Sequence, residues 1–176
     1  MVTPPIPAPN APRVTLRAVE PADLPLLYAF ESHPAWYAMA MVKPRTLDAF
    51  QAVWTKIFAD WASGIPGITQ KTILADGHVC GTIGCRLLGD RHTIGYGLSP
   101  AHWGRGIASI ALGLLLDEIP HRPLYATVAA SNAGSIRVLT KNGFTLAECR
   151  LAPESERCLA REECLFVLHE PNHPPL

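Results

Sequence analysis

The segment that most constrains the fold runs from Ile94 to Glu118. It begins as a short extended run, turns at Ser99-Pro100, passes through a small basic loop and continues as a long apolar helix. The apolar residues of this helix have the spacing of one buried stripe: Ile107, Ile110, Ala111, Leu114 and Leu115. Pro120 ends the helix, because proline has no backbone N–H and clashes with the preceding turn. The segment therefore predicts a strand, a tight loop and a core helix in succession.

The loop before the helix, His102-Trp103-Gly104-Arg105-Gly106, has the composition of an anion site. Two glycines flank Arg105 and leave the first backbone N–H groups of the helix unshielded. These donors and the positive end of the helix dipole favour a phosphate, and Arg105 adds a mobile positive charge. A tight turn without a ligand would also explain the glycines.

Two common nucleotide loops do not match this segment. A P-loop ends in Gly-Lys-Ser or Gly-Lys-Thr, which the chain lacks. Gly104 to Ser109 differs by one residue from the dinucleotide fingerprint, but the required acidic residue about 20 positions later is missing. A third loop matches: Trp103 to Ala108 resembles the acyl-CoA loop of the GNAT acetyltransferases, Gln/Arg-x-x-Gly-x-Gly/Ala. Gly106 and Ala108 fit that pattern, and Trp103 in place of Gln or Arg is similar to the RimJ/RimL-like branch, which acetylates protein N-termini.

A second segment, Ser131 to Phe144, resembles the same branch. It contains the pattern Asn-x-x-Ser followed by Lys-x-Gly-Phe. Ser131 or Asn132 can cap a helix, Gly143 can end it, and Phe144 begins an apolar strand. The resemblance extends over roughly residues 14 to 169.

The pattern predicts one α+β domain with a mixed, mostly antiparallel sheet of about six to seven strands flanked by helices, as in GNAT enzymes. Strands are expected at 14–18, 68–74, 78–88, 91–98, 124–129, 144–149 and 164–169. Helices are expected near residue 20, at 46–63, after the glycine loop and at 132–142, whereas 35–41 has no clear assignment. Asp76-Gly77 predicts a hairpin turn. We expect residues 1–12 to be a disordered proline-rich arm, 13–170 the domain and 171–176 a loose tail.

Composition excludes several classes of function. Lysine plus arginine equal aspartate plus glutamate at 15 each, so no overall field attracts nucleic acid or an anionic membrane. The five cysteines form no CxxC pair and no zinc spacing, which predicts reduced thiols in a cytoplasmic protein and no metal site. No apolar run is long enough to span a bilayer.

The resemblance implies an acetyltransferase that uses acetyl-CoA as acyl donor, bound where two neighbouring strands splay into a V. The backbone N–H near Leu98 would polarise the thioester oxygen, and Ser135 would lie near the sulfur. Many GNAT enzymes have a tyrosine acid at the position of Leu139. Arg137 and Lys141 would meet CoA phosphates or form a solvated helix face. The expected cofactor residues are Leu98, Trp103, Gly104, Arg105, Gly106, Ile107, Ala108, Ser109, Asn132, Ser135, Arg137 and Lys141.

The acceptor is expected to contact Glu31, Trp36, Tyr37 and Tyr96, and to be held by the segment 31–37 and by the polar connection at 151–161. A peptide N-terminus, a polyamine, an amino acid and a drug such as an aminoglycoside all remain open as acceptors, and the protein would be a monomer or homodimer. Several GNAT enzymes carry a glutamate base six residues before the oxyanion-binding position, and the resemblance places His92 at that distance before Leu98. Its ordinary pKa of about 6.5 suits a general base near neutral pH.

Three alternatives to this picture stay open. A histidine beside a turn is commonly only solvated, in which case the proton would leave through water, Glu31 or Glu162. A cysteine-acyl mechanism would use a different nucleophile. A non-catalytic acyl-CoA sensor would bind the same ligand without turnover.

Overall fold

The computed structural model describes residues 11–169 of the chain. Its seven strands are β1 Val14–Ala18, β2 Ile68–Ala75, β3 His78–Leu88, β4 Arg91–Leu98, β5 Leu124–Ala129, β6 Thr145–Ala152 and β7 Arg161–Leu168. Its helices are α1 Leu24–Glu31, α2 Pro34–Ala40, α3 Leu47–Ala62, α4 Ile107–Glu118 and α5 Ala133–Lys141. The α+β class is confirmed, while the expectations for residues 1–10 and 170–176 lie outside the described residues.

All strands form one sheet in the order β1-β2-β3-β4-β5-β7-β6. The hairpin at Asp76-Gly77 is confirmed, since both residues have the positive φ of a tight turn, 52° and 82°. Only β4 and β5 pair in parallel, and they pair only at His92 with Leu124 and at Thr93 with Tyr125. Beyond these two pairs the strands separate, which produces the expected V-shaped splay.

Helix α4 packs into the main core, but its buried face differs from the predicted stripe. Ile107, Ala111 and Leu115 are buried as expected, together with Leu112 and Leu116. Two members of the predicted stripe are largely exposed: Ile110 at 41% and Leu114 at 36%. The stripe was therefore wrong at these two positions, because the sheet covers the 107–111–115 and 112–116 rows and leaves the 110–114 row outside.

The segment without a clear assignment, 35–41, forms most of α2. Pro34 is the first residue of this helix, where its missing N–H costs nothing, and His33 caps it by accepting from the N–H of Ala35. Met41 ends the helix in a left-handed conformation, with φ 51°. This short helix places Trp36 beside β4, as described below.

The expectation of reduced cysteines was wrong for one pair. Cys149 and Cys164 occupy directly opposed positions of β6 and β7, and their sulfurs form a disulfide. Sequence spacing did not indicate it, because the pairing depends on the strand register. Cys80, Cys85 and Cys158 are free, and burial raises the pKa of the first two to about 11.

Candidate functional site

The open side of the splay presents backbone groups of β4. The N–H of Ser99 donates to the carbonyl of Cys80 over 2.8 Å, so Ser99 points toward β3. Leu98 faces Gly81 in the register of this antiparallel pair. Because successive residues alternate in direction, the N–H and C=O of Leu98 point away from β3 and into the splay. The Trp103 indole N–H donates to that carbonyl over 3.1 Å, which ties the loop to the end of β4.

Helix α4 begins without a side-chain cap. Gly106 takes the N-cap position at φ 77°, and Gly104 has φ 74°, a left-handed conformation that favours glycine in both cases. In contrast, Thr46 caps α3 and Asn132 caps α5 with side-chain oxygens. The first N–H groups of α4 therefore have no partner from a capping side chain, as an anion site at a helix start requires.

A cavity of about 560 Å³, the splay cavity, lies between this helix start, α5 and the end of β4. Eleven of the twelve expected cofactor residues line it: Leu98, Trp103, Gly104, Gly106, Ile107, Ala108, Ser109, Asn132, Ser135, Arg137 and Lys141. The structure thus gathers two segments separated by more than twenty residues of sequence around one volume.

Arg105 is the exception. Its side chain does not line the splay cavity, and its Nη2 lies 3.9 Å from Oδ2 of Asp76 in the β2–β3 turn. Asn132 lines the cavity, yet its Oδ1 accepts the N–H of Ser135 over 3.0 Å. The Asn-x-x-Ser pattern therefore has a structural role as the cap of α5.

Sequence reasoning missed several residues of the splay cavity, among them Met39, Ala40 and His102. For His102, its position inside the glycine loop was the one sequence feature that could have indicated a place in the cavity. Its Nδ1 is buried and has no hydrogen-bond partner among the described residues. Burial and the nearby charges of Arg105 and His78 lower the pKa of His102, so the ring is neutral at pH 7.

Tyr96 joins the two sides of the splay. Its hydroxyl lies 2.7 Å from Oγ of Ser135 and donates to the Ser135 carbonyl at 3.2 Å. Burial raises the pKa of Tyr96 to about 12, so the phenol keeps its proton at neutral pH. The pair provides a hydroxyl proton inside the splay cavity.

A second cavity of about 280 Å³, the arginine cavity, lies between β2–β4 and helices α1–α3. Its sheet side includes Gly84, Gly95 and Gly97, so part of that surface is bare backbone. A Cβ added at Gly95 would meet no atom within 4 Å. Trp36, Tyr96 and Gly97 line both cavities, so the two volumes meet at the end of β4.

The arginine cavity contains a charged cluster. Oε2 of Glu31 lies 3.1 Å from Nη1 of Arg45 and 3.6 Å from Nη2 of Arg157. Burial raises the pKa of Glu31, although both guanidiniums oppose that shift. Burial and the charge of Arg45 lower the pKa of Arg157. Nη1 of Arg157 is buried and has no hydrogen-bond partner among the described residues.

The expected acceptor residues Glu31, Trp36 and Tyr96 line the arginine cavity, whereas Tyr37 lines neither cavity. His92 also lies outside both cavities. It stands at the closed end of the splay, about 20 Å along the strand from Leu98, and its ring stacks on His121 at 4.4 Å. The geometry therefore does not support His92 as the general base. Regular alternation along β4 does predict that His92 and Leu98 share one face of the strand. However, β5 pairs with β4 at His92, so the splay is closed at the His92 end.

Residues 11–169 contain no arrangement typical of a cysteine nucleophile, a metal site or a membrane-spanning helix. None of the free cysteines, Cys80, Cys85 and Cys158, lines either cavity, which disfavours a cysteine-acyl mechanism. This part of the chain contains no cluster of side chains suited to hold a metal ion. Within it, no helix combines the length and apolarity needed to cross a membrane.

Comparisons with known proteins identify the family and the fold. Residues 13–145 match the family model of the acetyltransferase (GNAT) domain. Mycobacterium smegmatis RimJ, solved in complex with CoA-disulfide, is 21% identical, with a TM-score of 0.72 over 89% of this chain and 81% of that one. Vibrio cholerae spermidine N-acetyltransferase, solved with CoA and spermine, is 15% identical, with a TM-score of 0.74 over 89% and 95%.

An acetyltransferase from Agrobacterium tumefaciens str. C58 is 26% identical, with a TM-score of 0.70 over 97% of this chain and 98% of that one. No curated protein sequence was found to match the chain.

Proposed function

The chain belongs to the GNAT acetyltransferase family, and we propose that it moves an acetyl group from acetyl-CoA directly to a primary amine. The observation that carries this proposal is the splay cavity, where an uncapped helix start and the N–H of Leu98 face one volume. The RimJ and spermidine acetyltransferase structures, both bound to forms of CoA, share this fold.

The residues of the splay cavity fit acetyl-CoA. The unshielded N–H groups of α4 suit its pyrophosphate, because the space that a Cβ would take at Gly104 or Gly106 is open to 4 Å, which lets a ligand approach their backbone closely. Arg137 and Lys141 also line the cavity and add positive charge for the phosphates. Met39, Ala40 and Leu98 supply apolar surface for the pantetheine arm. Acetyl-CoA brings an activated thioester, so the reaction needs no acyl-enzyme.

The chain's own groups then divide the remaining tasks. The N–H of Leu98 binds the thioester oxygen and stabilises the negative charge that develops there. The amine nitrogen forms a bond to the carbonyl carbon while the carbon–sulfur bond breaks. The hydroxyl pair of Tyr96 and Ser135 supplies a proton to the departing sulfur. The position where many family members have a tyrosine acid is occupied by Leu139, which lies buried in the core.

Glu31 is the proposed acceptor of the amine proton, directly or through water. It is the sole carboxylate among the described residues that line the arginine cavity, and burial raises its pKa. A higher pKa makes a carboxylate a better base near neutral pH. Glu162, the other carboxylate considered, lines neither cavity.

The test is turnover by the purified full chain. We expect CoA release that depends on both acetyl-CoA and an amine, with the acetylated amine identified by mass spectrometry. The amine panel contains peptides with free N-termini, amino acids, polyamines and an aminoglycoside. Tight binding of acetyl-CoA without CoA release for any amine would instead identify a sensor module. A cytoplasmic location and the monomeric or dimeric state stay predictions.

A further inference from the structure

The arginine cavity has a strong excess of positive charge. Its ionic lining consists of three guanidiniums, Arg45, Arg86 and Arg157, and one carboxylate, Glu31. Three positive groups and one negative group leave a net charge of two positive in a volume of about 280 Å³. Such a field repels a polycation and attracts an anion, and it acts more strongly in a partly enclosed space than in bulk water.

The cluster also has one donor without an acceptor among residues 11–169. Arg45 and Arg157 both approach the same oxygen of Glu31, at 3.1 and 3.6 Å. Nη1 of Arg157 is buried with no partner among the described residues, although a buried guanidinium N–H ordinarily finds an acceptor. A guanidinium offers a planar fork of donors that suits a carboxylate or phosphate.

We propose that the acceptor is a small amine that carries its own carboxylate or phosphate, and that Arg157 binds this anionic group. The inference rests on the proposed function, because it assigns the arginine cavity to the acceptor. The anion accepts hydrogen bonds from the partly exposed guanidinium of Arg157 and relieves the repulsion between the two arginines that share Glu31. Glu31 lies beside Arg157 and therefore takes the proton of the ammonium group at the other end of the acceptor through water.

Size supports the same class. A volume of about 280 Å³ holds a compact molecule or one terminal residue of a peptide. Gly95 leaves bare backbone facing the cavity, whereas the Trp36 ring covers Gly97, 3.0 Å from where an added Cβ would stand. The two cavities meet at Trp36, Tyr96 and Gly97, where the amine must meet the thioester. The anionic group therefore lies toward Arg157 and the amine toward Gly97.

The first experiment compares matched amines at saturating acetyl-CoA. The set contains four amines at each carbon-chain length from two to six: an ω-amino acid, an aminoalkyl phosphate, a diamine and an alkylamine. The α-amino acids form a separate group. We expect kcat/KM to be at least thirtyfold higher for the best anionic amine than for its matched diamine or alkylamine. The carboxylate and phosphate series show which anion fits. Diamines or alkylamines that match or exceed their anionic counterparts at every length would overturn the inference and leave the proposed function intact.

The second experiment replaces the arginine. Arg157→Gln should lower kcat/KM for the best anionic amine at least thirtyfold relative to its matched alkylamine, so that the preference for the anion is lost, and should leave acetyl-CoA affinity unchanged. Arg157→Lys should recover part of the loss. Arg150→Gln is the control, since Arg150 is exposed on β6 and lines neither cavity.

Arg86→Glu provides a second route that does not disturb the buried cluster, because Arg86 is an exposed residue of β3. This reversal should shift the preference toward diamines even if Arg157→Gln proves too unstable to assay. An unchanged preference in both charge variants would overturn the inference. Failure of the proposed function has a different signature, which is no CoA release with any amine.

Discussion

The two cavities on either side of the end of β4 are built in different ways. The splay cavity is made mainly from backbone: an uncapped helix start, two left-handed glycines and the N–H of Leu98. The arginine cavity is made mainly from side chains of distant elements, from Glu31 to Arg157. Backbone sites bind groups common to many ligands, such as phosphates, whereas side-chain sites can change with the ligand. The common donor therefore fits the first cavity and the specific acceptor the second.

The largest expected effect comes from placing a negative charge in the splay cavity. Ala108 is the second residue of α4 and lines this cavity. A carboxylate there is favourable to the helix itself, by about 0.3–1 kcal/mol, so Ala108→Glu should fold. It should nevertheless weaken acetyl-CoA binding at least thirtyfold, about 2 kcal/mol, by repelling the pyrophosphate. Calorimetric titration measures this.

Ala108→Gln is the matched control, because it has the same size without the charge. We expect it to weaken binding less than fivefold. Equal losses in the two variants would mean that crowding alone acts at this position. Unchanged affinity in Ala108→Glu would mean that the start of α4 does not hold the phosphates.

The difference between the cavities also explains what the sequence could predict. Gly104, Gly106 and Ala108 are close in sequence and form their site through local backbone conformation, so a short pattern was sufficient. The connection at 151–161 could be assigned to the acceptor, but Arg157 within it could not be singled out, because only the folded chain brings it to Glu31 on α1. Sequence alone also could not give the position of the Arg105 side chain, which lies near Asp76 of a separate turn.

His92 shows a related limit. Its alternation along β4 could be counted from sequence, but the pairing of β4 with β5 at Leu124 decides which end of the strand is open. Strand pairing depends on residues far apart in the chain, as does the disulfide between Cys149 and Cys164. The number of strands, the hairpin and the helix after the glycine loop were predictable because each depends on local periodicity and turn residues.

An intermediate effect is expected from filling the arginine cavity. A side chain at Gly95 would project into open space, and the position has no left-handed φ. Valine suits a strand, so Gly95→Val should keep or slightly raise thermal stability. It should lower kcat/KM for the acceptor at least tenfold while acetyl-CoA affinity stays within twofold, because the donor lies in the other cavity.

The smaller variant Gly95→Ala is the graded control, and its kcat/KM for the acceptor should lie between the values of wild type and Gly95→Val. Steady-state kinetics with varied acceptor measure the effect on acceptor turnover. Titration with acetyl-CoA measures the effect on donor affinity. A valine variant that loses donor affinity and acceptor turnover equally would show that the cavities do not act independently. Unchanged acceptor kinetics would remove the arginine cavity from the reaction.

The smallest effect should come from Tyr96, which belongs to both cavities. Tyr96→Phe removes the hydroxyl that contacts Ser135 at 2.7 Å and leaves the ring in place. We expect kcat to fall about tenfold, equivalent to about 1.4 kcal/mol in the barrier, with donor affinity within threefold. Ser135→Ala should cause a similar loss. Because the two hydroxyls act as one hydrogen-bonded pair, the double variant should lose little more than either single variant.

The pH dependence tests whether the group that supplies the proton ionises as late as Tyr96. The pKa of Tyr96 is raised to about 12, so its proton is present at all lower pH values and is lost only as pH rises through 12. Wild-type kcat should therefore show no fall between pH 8 and about 10, where an unperturbed tyrosine would begin to ionise. In Tyr96→Phe the rate loss should be constant across this range, since the missing donor is protonated throughout. Additive losses in the double variant, or a wild-type rate that already falls near pH 9, would show that another group supplies the proton to the departing sulfur.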